Sequence, residues 1–535
     1  MYKRCIYPVI ERIEGRRHVA QETRSNESTN FLWLWKVARL LALYFFFGFF
    51  FMDDAEAASV ALKNLPRIET AIPFIGVLLS IAFCPLLIPN LWKRFENLIL
   101  IAWSASSLWL CLLSIGRDTT ILLTDTLIRE YIPFITLVST LFIISNGIDL
   151  KINVRASTMG NIIILGCGEI LANFIGTTGT AILLLRPLLE VNKHRKNNVH
   201  TVIFFIFLVS NIGGCLLPFG DPPLFLGYLK GVDFFWTLKH MFPMFCAASV
   251  ALLVLYGIID IIMIRKERAE GLADASQPSP AIEAASQIEQ GDYATHKPLL
   301  HINGWVNVVL MILVVVLFVC TGNLPKKVIL KPFGVSVHSK NLIRDLGLLV
   351  LAGIAFLRFL KTKQEFTDKG RTLSQKELRA GDTSQWAPLS EVIRFFLAIF
   401  VTMAPVAAML KGGHEFFAPI SRALASSSHP AFLYFWFVSP FSAFLDNAPT
   451  YLIFFKMAGG NAQFLMNEGV KILIAISAGS VFMGSVTYIG NAPNFMVRTI
   501  AKQYGVNMPN FFGYTAMASL ILLPLFFVLG LVFLY

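Results

Sequence analysis

Charge is scarce in this chain: Asp, Glu, Lys and Arg make up only 15% of its 535 residues, against roughly 25% in soluble domains. That shortage excludes an ordinary soluble fold. Cysteine is also rare. There are seven, no CxxC pair occurs, and Cys84, Cys111, Cys167, Cys215, Cys246 and Cys320 lie in or beside apolar runs. They are expected to be packed thiols rather than ligands or disulfides. The histidines, such as His194, His200 and His414, fall in loops without metal spacing, and no Ser/His/Asp or phosphate-loop arrangement is visible. The chain is therefore expected not to be an enzyme and to use no cofactor. Period-two alternation is missing from the long apolar runs, which excludes a membrane barrel. The net charge of +12 is spread over loops rather than gathered on one face, so nucleic acid is not an expected partner.

What the chain has is hydrophobic length. Ala71–Trp92, Leu98–Ser114, Ile302–Thr321 and Tyr514–Tyr535 each approach or reach the ~20 apolar residues a helix needs to cross the hydrocarbon layer. Spans are expected near 31–51, 71–92, 98–115, 129–147, 201–228, 241–264, 302–321, 343–361, 390–410, 470–493 and 513–534. Two further apolar segments, 160–190 and 431–457, have breaker-rich centres, Gly176-Thr177-Thr178-Gly179 and Asp446-Asn447-Ala448-Pro449. Each reads as a re-entrant hairpin. The fold class is thus an all-α polytopic membrane protein of about 11 spans, an inverted-repeat secondary transporter with two hairpins and two broken helices. Before the first run, a basic segment and Ala55-Glu56-Ala57 leave open either a signal-like segment with cleavage near Ala57 or a retained first span.

An internal repeat organises the rest. Residues 173–180 fall on 443–450 at an offset of 270, matching Phe174 with Phe444 and Thr180 with Thr450. The same offset places Ser210 on Ser480, Gly214 on Gly484, Gly220 on Gly490, Pro223 on Pro493 and Phe225 on Phe495. Apolar matches are cheap in a membrane protein, so the weight rests on Gly, Pro, Ser and Thr. Five crossings separate the two hairpin exits, and an odd number inverts one copy relative to the other. Lys193, Arg195 and Lys196 follow the first hairpin, whereas 457–470 has no Lys or Arg, which puts the first loop, the N-terminus and the 265–300 loop in the cytoplasm of an inner (cytoplasmic) membrane. Lys326, Lys327, Lys331 and Lys340 dissent on the other side. The chain divides into 1–57 (N-terminal tail and first span), 58–158 (scaffold helices), 159–264 (first repeat), 265–300 (linker), 301–430 (scaffold helices) and 431–535 (second repeat). Residues 270–296 have the composition of a disordered connector.

A break in mid-membrane exposes backbone groups that lipid cannot satisfy, so breaks persist where they line a cavity or bind something. Gly176, Gly179, Pro449, Gly220, Pro223, Gly490 and Pro493 make four such breaks. The polar residues there are hard oxygen ligands suited to a small cation: Asp446, Asn447 and Thr450 at the second tip, Thr177, Thr178 and Thr180 at the first, Asp221 and Asn491 in the broken helices. Ser210, Asn211 and Ser480 are weaker candidates, because small polar residues also pack helices closely. A charge at the bilayer centre costs at least ~2.5 kcal/mol, which marks both aspartates as functional, unless they only cap the helices that restart after each break. Glu169 on a hairpin arm suits a proton carrier or a partner for Arg186. Asp149 is expected to be solvated.

Ile175-Gly-Thr-Thr-Gly179, Asn211-Ile-Gly-Gly214, Pro218-Phe-Gly-Asp-Pro-Pro-Leu-Phe-Leu-Gly227, Ser442-Ala-Phe-Leu-Asp-Asn-Ala-Pro-Thr450 and Tyr488-Ile-Gly-Asn-Ala-Pro-Asn-Phe495 together resemble the ion-transporter superfamily. The likeness is nearest to NhaD-type sodium/proton antiporters and citrate transporters, from about Ile72 to the C-terminus. The resemblance implies a scaffold that mediates homodimer contact and a transport domain carrying both hairpins. Carboxylate carriers of that superfamily commonly have Ser-Asn-Thr at their tips, where this chain has Gly176-Thr-Thr178 and Asp446-Asn-Ala448. The expected activity is therefore sodium (or lithium)/proton antiport, with sodium and protons as transported species, and the alternative is sodium-coupled uptake of citrate or a dicarboxylate. Burial favours the neutral form of a carboxyl in general, so protons and sodium can compete for one oxygen cage.

Overall fold

The computed structural model describes residues 64–152, 156–269, 300–322, 324–325, 327–330, 335–368 and 386–535. The expected span 31–51, the candidate cleavage at Ala57 and the connector 270–296 lie outside the described residues. Helices α1 (Ile72–Leu87) and α2 (Pro89–Ile115) come first. Next are α3 (Asp118–Thr126) and α4 (Ile132–Ser145), fused through a π turn at Leu127–Tyr131. Then follow the first hairpin, α5 (Thr158–Ile175) and α6 (Thr177–Val191), and the first broken helix, α7 (Val199–Leu208) and α8 (Pro222–Lys230). After α9 (Trp236–Ala269), α10 (Trp305–Gly322), α11 (Ser339–Asp368) and α12 (Ala387–Lys411), a short α13 (Ala418–Ala425) leads to the second hairpin. That hairpin is α14 (Pro430–Leu445) and α15 (Asn447–Met457). A short α16 (Ala462–Asn467) precedes the second broken helix, α17 (Val470–Met483) and α18 (Ala492–Gln503), and α19 (Phe511–Phe533) ends the chain. Among the described residues eight helical stretches are long and apolar enough to cross a membrane. The chain is a multi-pass, all-α membrane protein.

The breaks follow from length as much as from sequence. Helix α7 has 10 residues and α8 has 9; at 1.5 Å per residue each covers about 15 Å, half of a hydrocarbon layer of ~30 Å. Half-helices must therefore meet partners at mid-depth. They do so across the repeats: α15 packs on α8, and α18 packs on α6, while α14 lies along α17. Two helices outside the hairpins and broken helices complete this packing, α4 against α6 and α12 against α15. Every side chain from Val202 to Val209 is buried, so α7 is enclosed on all faces over this stretch. Leu98, Ile101 and Leu113 of α2 and Leu346, Leu349 and Val350 of α11 remain exposed, as expected of helices whose solvent is lipid.

Several expectations need correction. The span placed at 129–147 begins at Asp118, because the stretch Asp118-Thr119-Thr120 with Thr124 and Asp125 dilutes its hydropathy. The last broken helix runs to Gln503 rather than 493; its second half is amphipathic, and the polar face hides it from a hydropathy reading. Helix α11 forms at 343–361 but is not among the eight apolar stretches. Two short antiparallel ribbons interrupt the all-helical pattern. Strand β1 (Asp149–Ile152) pairs with β2 (Leu300–Asn303), and β3 (Val328–Leu330) with β4 (Val337–His338). Asp149 lies opposite Asn303 in the first ribbon. Of the cysteines, Cys111 and Cys215 are buried but Cys167 and Cys320 are exposed; an apolar thiol costs nothing against lipid. His200 belongs to the first turn of α7, not to a loop.

Candidate functional site

Both hairpins turn on a single residue at equivalent positions. Gly176 has φ +83° and ψ 153°, and Asp446, its counterpart at the 270 offset, has φ +78° and ψ 143°. This region suits glycine and strains any residue with a Cβ, by about 1–3 kcal/mol. Among the described residues Asp446 is the one non-glycine with positive φ. The broken helices are matched as closely: Asp221 and Asn491 sit before α8 and α18 with φ −144° and −151° and ψ 145° and 138°. The repeat is thus visible in backbone angles as well as in sequence.

The two aspartates have different jobs in this geometry. Asp446 accepts the Ala448 backbone N–H at 3.5 Å through Oδ1, a long N-terminal cap for α15, and it is only half-buried. Asp221 makes no cap bond to α8 and is 1% exposed. Its carboxylate instead accepts from Thr177 Oγ1 (3.2 Å), from Asn491 Nδ2 (3.1 Å), and from Asn447 Nδ2. The donors come from the first hairpin, the second broken helix and the second hairpin. All four breaks therefore converge on one carboxylate. No Lys, Arg or His lies within ion-pair distance of Asp221 among the described residues. Asn491 also donates to Ser210 O (3.0 Å) and Asn211 Oδ1 (3.2 Å).

The remaining candidates arrange themselves around this centre. Thr177 N–H donates to Gly220 O at 2.9 Å, joining the first tip to the first broken helix. Thr178 and Gly179 line, with Asp221, Asp446, Asn491 and Gly176, a cavity of about 90 Å³. Phe134 and Leu141 of α4 and Leu389 and Phe396 of α12 form its apolar wall. Thr450 Oγ1 turns back to Asp446 O at 2.7 Å, and Thr180 is buried with its hydroxyl unpaired. The Ser210 and Ser480 hydroxyls are also buried without a partner; Ser480 contributes its carbonyl, which accepts from Ser442 Oγ. Pro449, Pro223 and Pro493 each lie in the first turn of a restarting half-helix, where the missing N–H is no loss. Glu169 is buried beside Ser249, and Arg186 is exposed and not paired with it.

One family model, described as "Putative citrate transport", matches residues 63–534. The chain belongs to this citrate transport family. No curated protein matches it. Family membership makes the protein a membrane transporter, and the match runs through both hairpins, both broken helices and the helices packed against them.

Three features of this family member escaped the sequence reading. Asn494 donates to Gly484 O (2.8 Å) and Thr487 O (2.9 Å) and accepts from Asn211 Nδ2 (2.8 Å), stitching one broken helix to the other. Its counterpart at the 270 offset is Leu224, and that polar-for-apolar difference was the available signal. Arg195 meets Asp260 (2.6 Å) and Glu267 (3.8 Å), with His200 also on Asp260 (2.8 Å). Glu130, on the π turn, pairs with Lys230 at the end of α8 and Lys456 near the end of α15. Neither cluster has a motif, because its members are far apart in sequence.

Proposed function

We propose that the protein is a secondary active transporter of the inner membrane that exchanges sodium, or lithium, for protons, with Asp221 as the carboxylate for which the two compete. The observation that carries this reading is the isolation of Asp221. A carboxylate at this depth, with three neutral donors and no basic side chain, needs a proton or a metal cation to cancel its charge. Oxygen atoms for a small hard cation are close by in Thr177, Thr178, Asn447 and Asp446, consistent with the ligand chemistry such ions prefer. Either occupant neutralises the site and permits it to change sides, which couples the two fluxes. Proteoliposomes test it. Asp221→Asn should abolish sodium-driven proton movement while the protein still inserts and purifies, and normal flux in that variant would remove Asp221 from the mechanism.

Family membership favours a second reading, sodium-coupled uptake of citrate or a dicarboxylate. Two carboxylates in the cavity wall repel such an anion until a cation neutralises them, so sodium would have to bind first. Labelled citrate that accumulates in sodium and not in potassium would select this reading over exchange.

A further inference from the structure

A second cavity, of about 300 Å³, lies away from the central site, where the end of α12, the start of α13 and the end of α15 meet. Its charged and titratable lining is Lys411, His414, Arg422 and Lys456, with no carboxylate among the lining residues. Among the described residues Lys411 and Arg422 have no acidic partner within 4 Å. Lys456 does have one, but it is shared. Glu130 is held by Lys230 and stands 3.8 Å from the Lys456 ammonium, a distance of ion pairing rather than hydrogen bonding. The nearby Asp125 is committed to Arg129 at 3.0 Å. One buried carboxylate thus serves two lysines, and Lys456, whose ammonium carries three N–H donors, lines the cavity with its side chain 14% exposed. A cleft lined by one sign of charge, with apolar walls such as Leu410, Phe417 and Met457, concentrates counter-ions.

We propose that this cavity is an oxyanion-binding site on the seam between the scaffold and the second hairpin, taking a multiply charged carboxylate or phosphate. Arg422 supplies a planar fork suited to carboxylate or phosphate, and Lys411 and Lys456 supply point charges. A bound anion competes with Glu130 for Lys456, so occupancy loosens the Glu130–Lys456 contact at this seam. The site does not depend on which ion the Asp221 centre carries. Its anion has two possible sources, a soluble polycarboxylate or phosphate and the headgroup of an anionic lipid.

The test uses the full-length protein in nanodiscs. In zwitterionic lipid, citrate and inorganic phosphate are titrated against chloride at matched ionic strength while the thermal midpoint is followed. In parallel, anionic phospholipid is added to the disc and retained lipid is read by native mass spectrometry. Stabilisation by the soluble anions, or retention of the anionic lipid, identifies the source. The double variant K411Q/R422Q changes only exposed side chains and should weaken the response about tenfold or more, whereas K411R, which keeps the charge and leaves Arg422 in place, should keep it. Asp221→Asn should also keep it, which separates this site from the central one even if no sodium flux is found. A wild-type protein that responds to none of the three anions, or a K411Q/R422Q protein that responds like wild type, overturns the proposal.

Discussion

Asp446 occupies a backbone position that its own Cβ opposes, and its side chain accepts a long 3.5 Å bond from the Ala448 N–H of the helix it caps. Capping does not explain the choice of residue, since glycine caps nearly as well and would remove the strain. Asp446→Gly should therefore raise the thermal midpoint, by relief of about 1 kcal/mol, and should lower cation-coupled flux. Asp446→Ala, which keeps the Cβ, should give no such gain, and scanning fluorimetry beside proteoliposome flux reads both. Asn494 offers the opposite case. Asn494→Leu, the residue at the equivalent place in the first repeat, strands the Gly484 and Thr487 carbonyls in a dry interior, at about 1–3 kcal/mol. The variant should melt earlier. At this scale the sequence singled out Asp221, Asn447, Asn491 and Thr177, because oxygen-bearing residues beside helix breakers are legible. What it could not reveal was that Asp221 accepts while Asp446 caps, since that depends on which groups the folded chain brings within 3.5 Å.

The half-helices cross through glycine. A Cβ on Gly220 would fall on the Gly214 carbonyl, and one on Gly490 would come within 2.7 Å of Gly484 O. Both obstructions are backbone atoms, which cannot swing aside as a side chain can. Gly220→Ala and Gly490→Ala should each disrupt the crossover, Gly220→Ala more severely, and yields of monodisperse protein on size-exclusion chromatography check the order. Hairpins and crossovers could be read from sequence because Gly, Pro and Thr punctuate otherwise apolar segments. Helix α18 extends beyond its apolar run because Asn494, Arg498 and Lys502 lower its hydropathy although it packs against α6. The two ribbons are of only two to four residues per strand, too short for a periodic signal.

Across the whole molecule, α4 and α12 supply an apolar wall to the central cavity, and Glu130 ties the π turn to α8 and α15. Glu130→Gln would leave Lys230 and Lys456 without their shared carboxylate, and breaking a buried pair of this kind costs about 3–5 kcal/mol. The variant should lose thermal stability, and Lys230→Met in the same chain should recover part of it. The proposed orientation has its own check. In a cysteine-free background, Lys196→Cys should react with a membrane-impermeant maleimide only after the cytoplasmic face is opened, and labelling in intact cells would reverse the topology. The two-fold architecture was legible from the 270 offset alone, whereas the Glu130 seam was not, because Lys230 and Lys456 sit 100 or more positions from Glu130 and share no pattern with it.

The matched turn angles at Gly176 and Asp446 have an evolutionary reading. Glycine and aspartate codons differ by a single base, so a strained tip is always one replication error away from a relaxed one. A population grown where this transporter is dispensable should drift to glycine at position 446 sooner than at Asp221, whose backbone gains nothing from the change. Retention of the acid at 446 in cells that need the protein would then measure, in generations, how strongly the tip's charge is under selection.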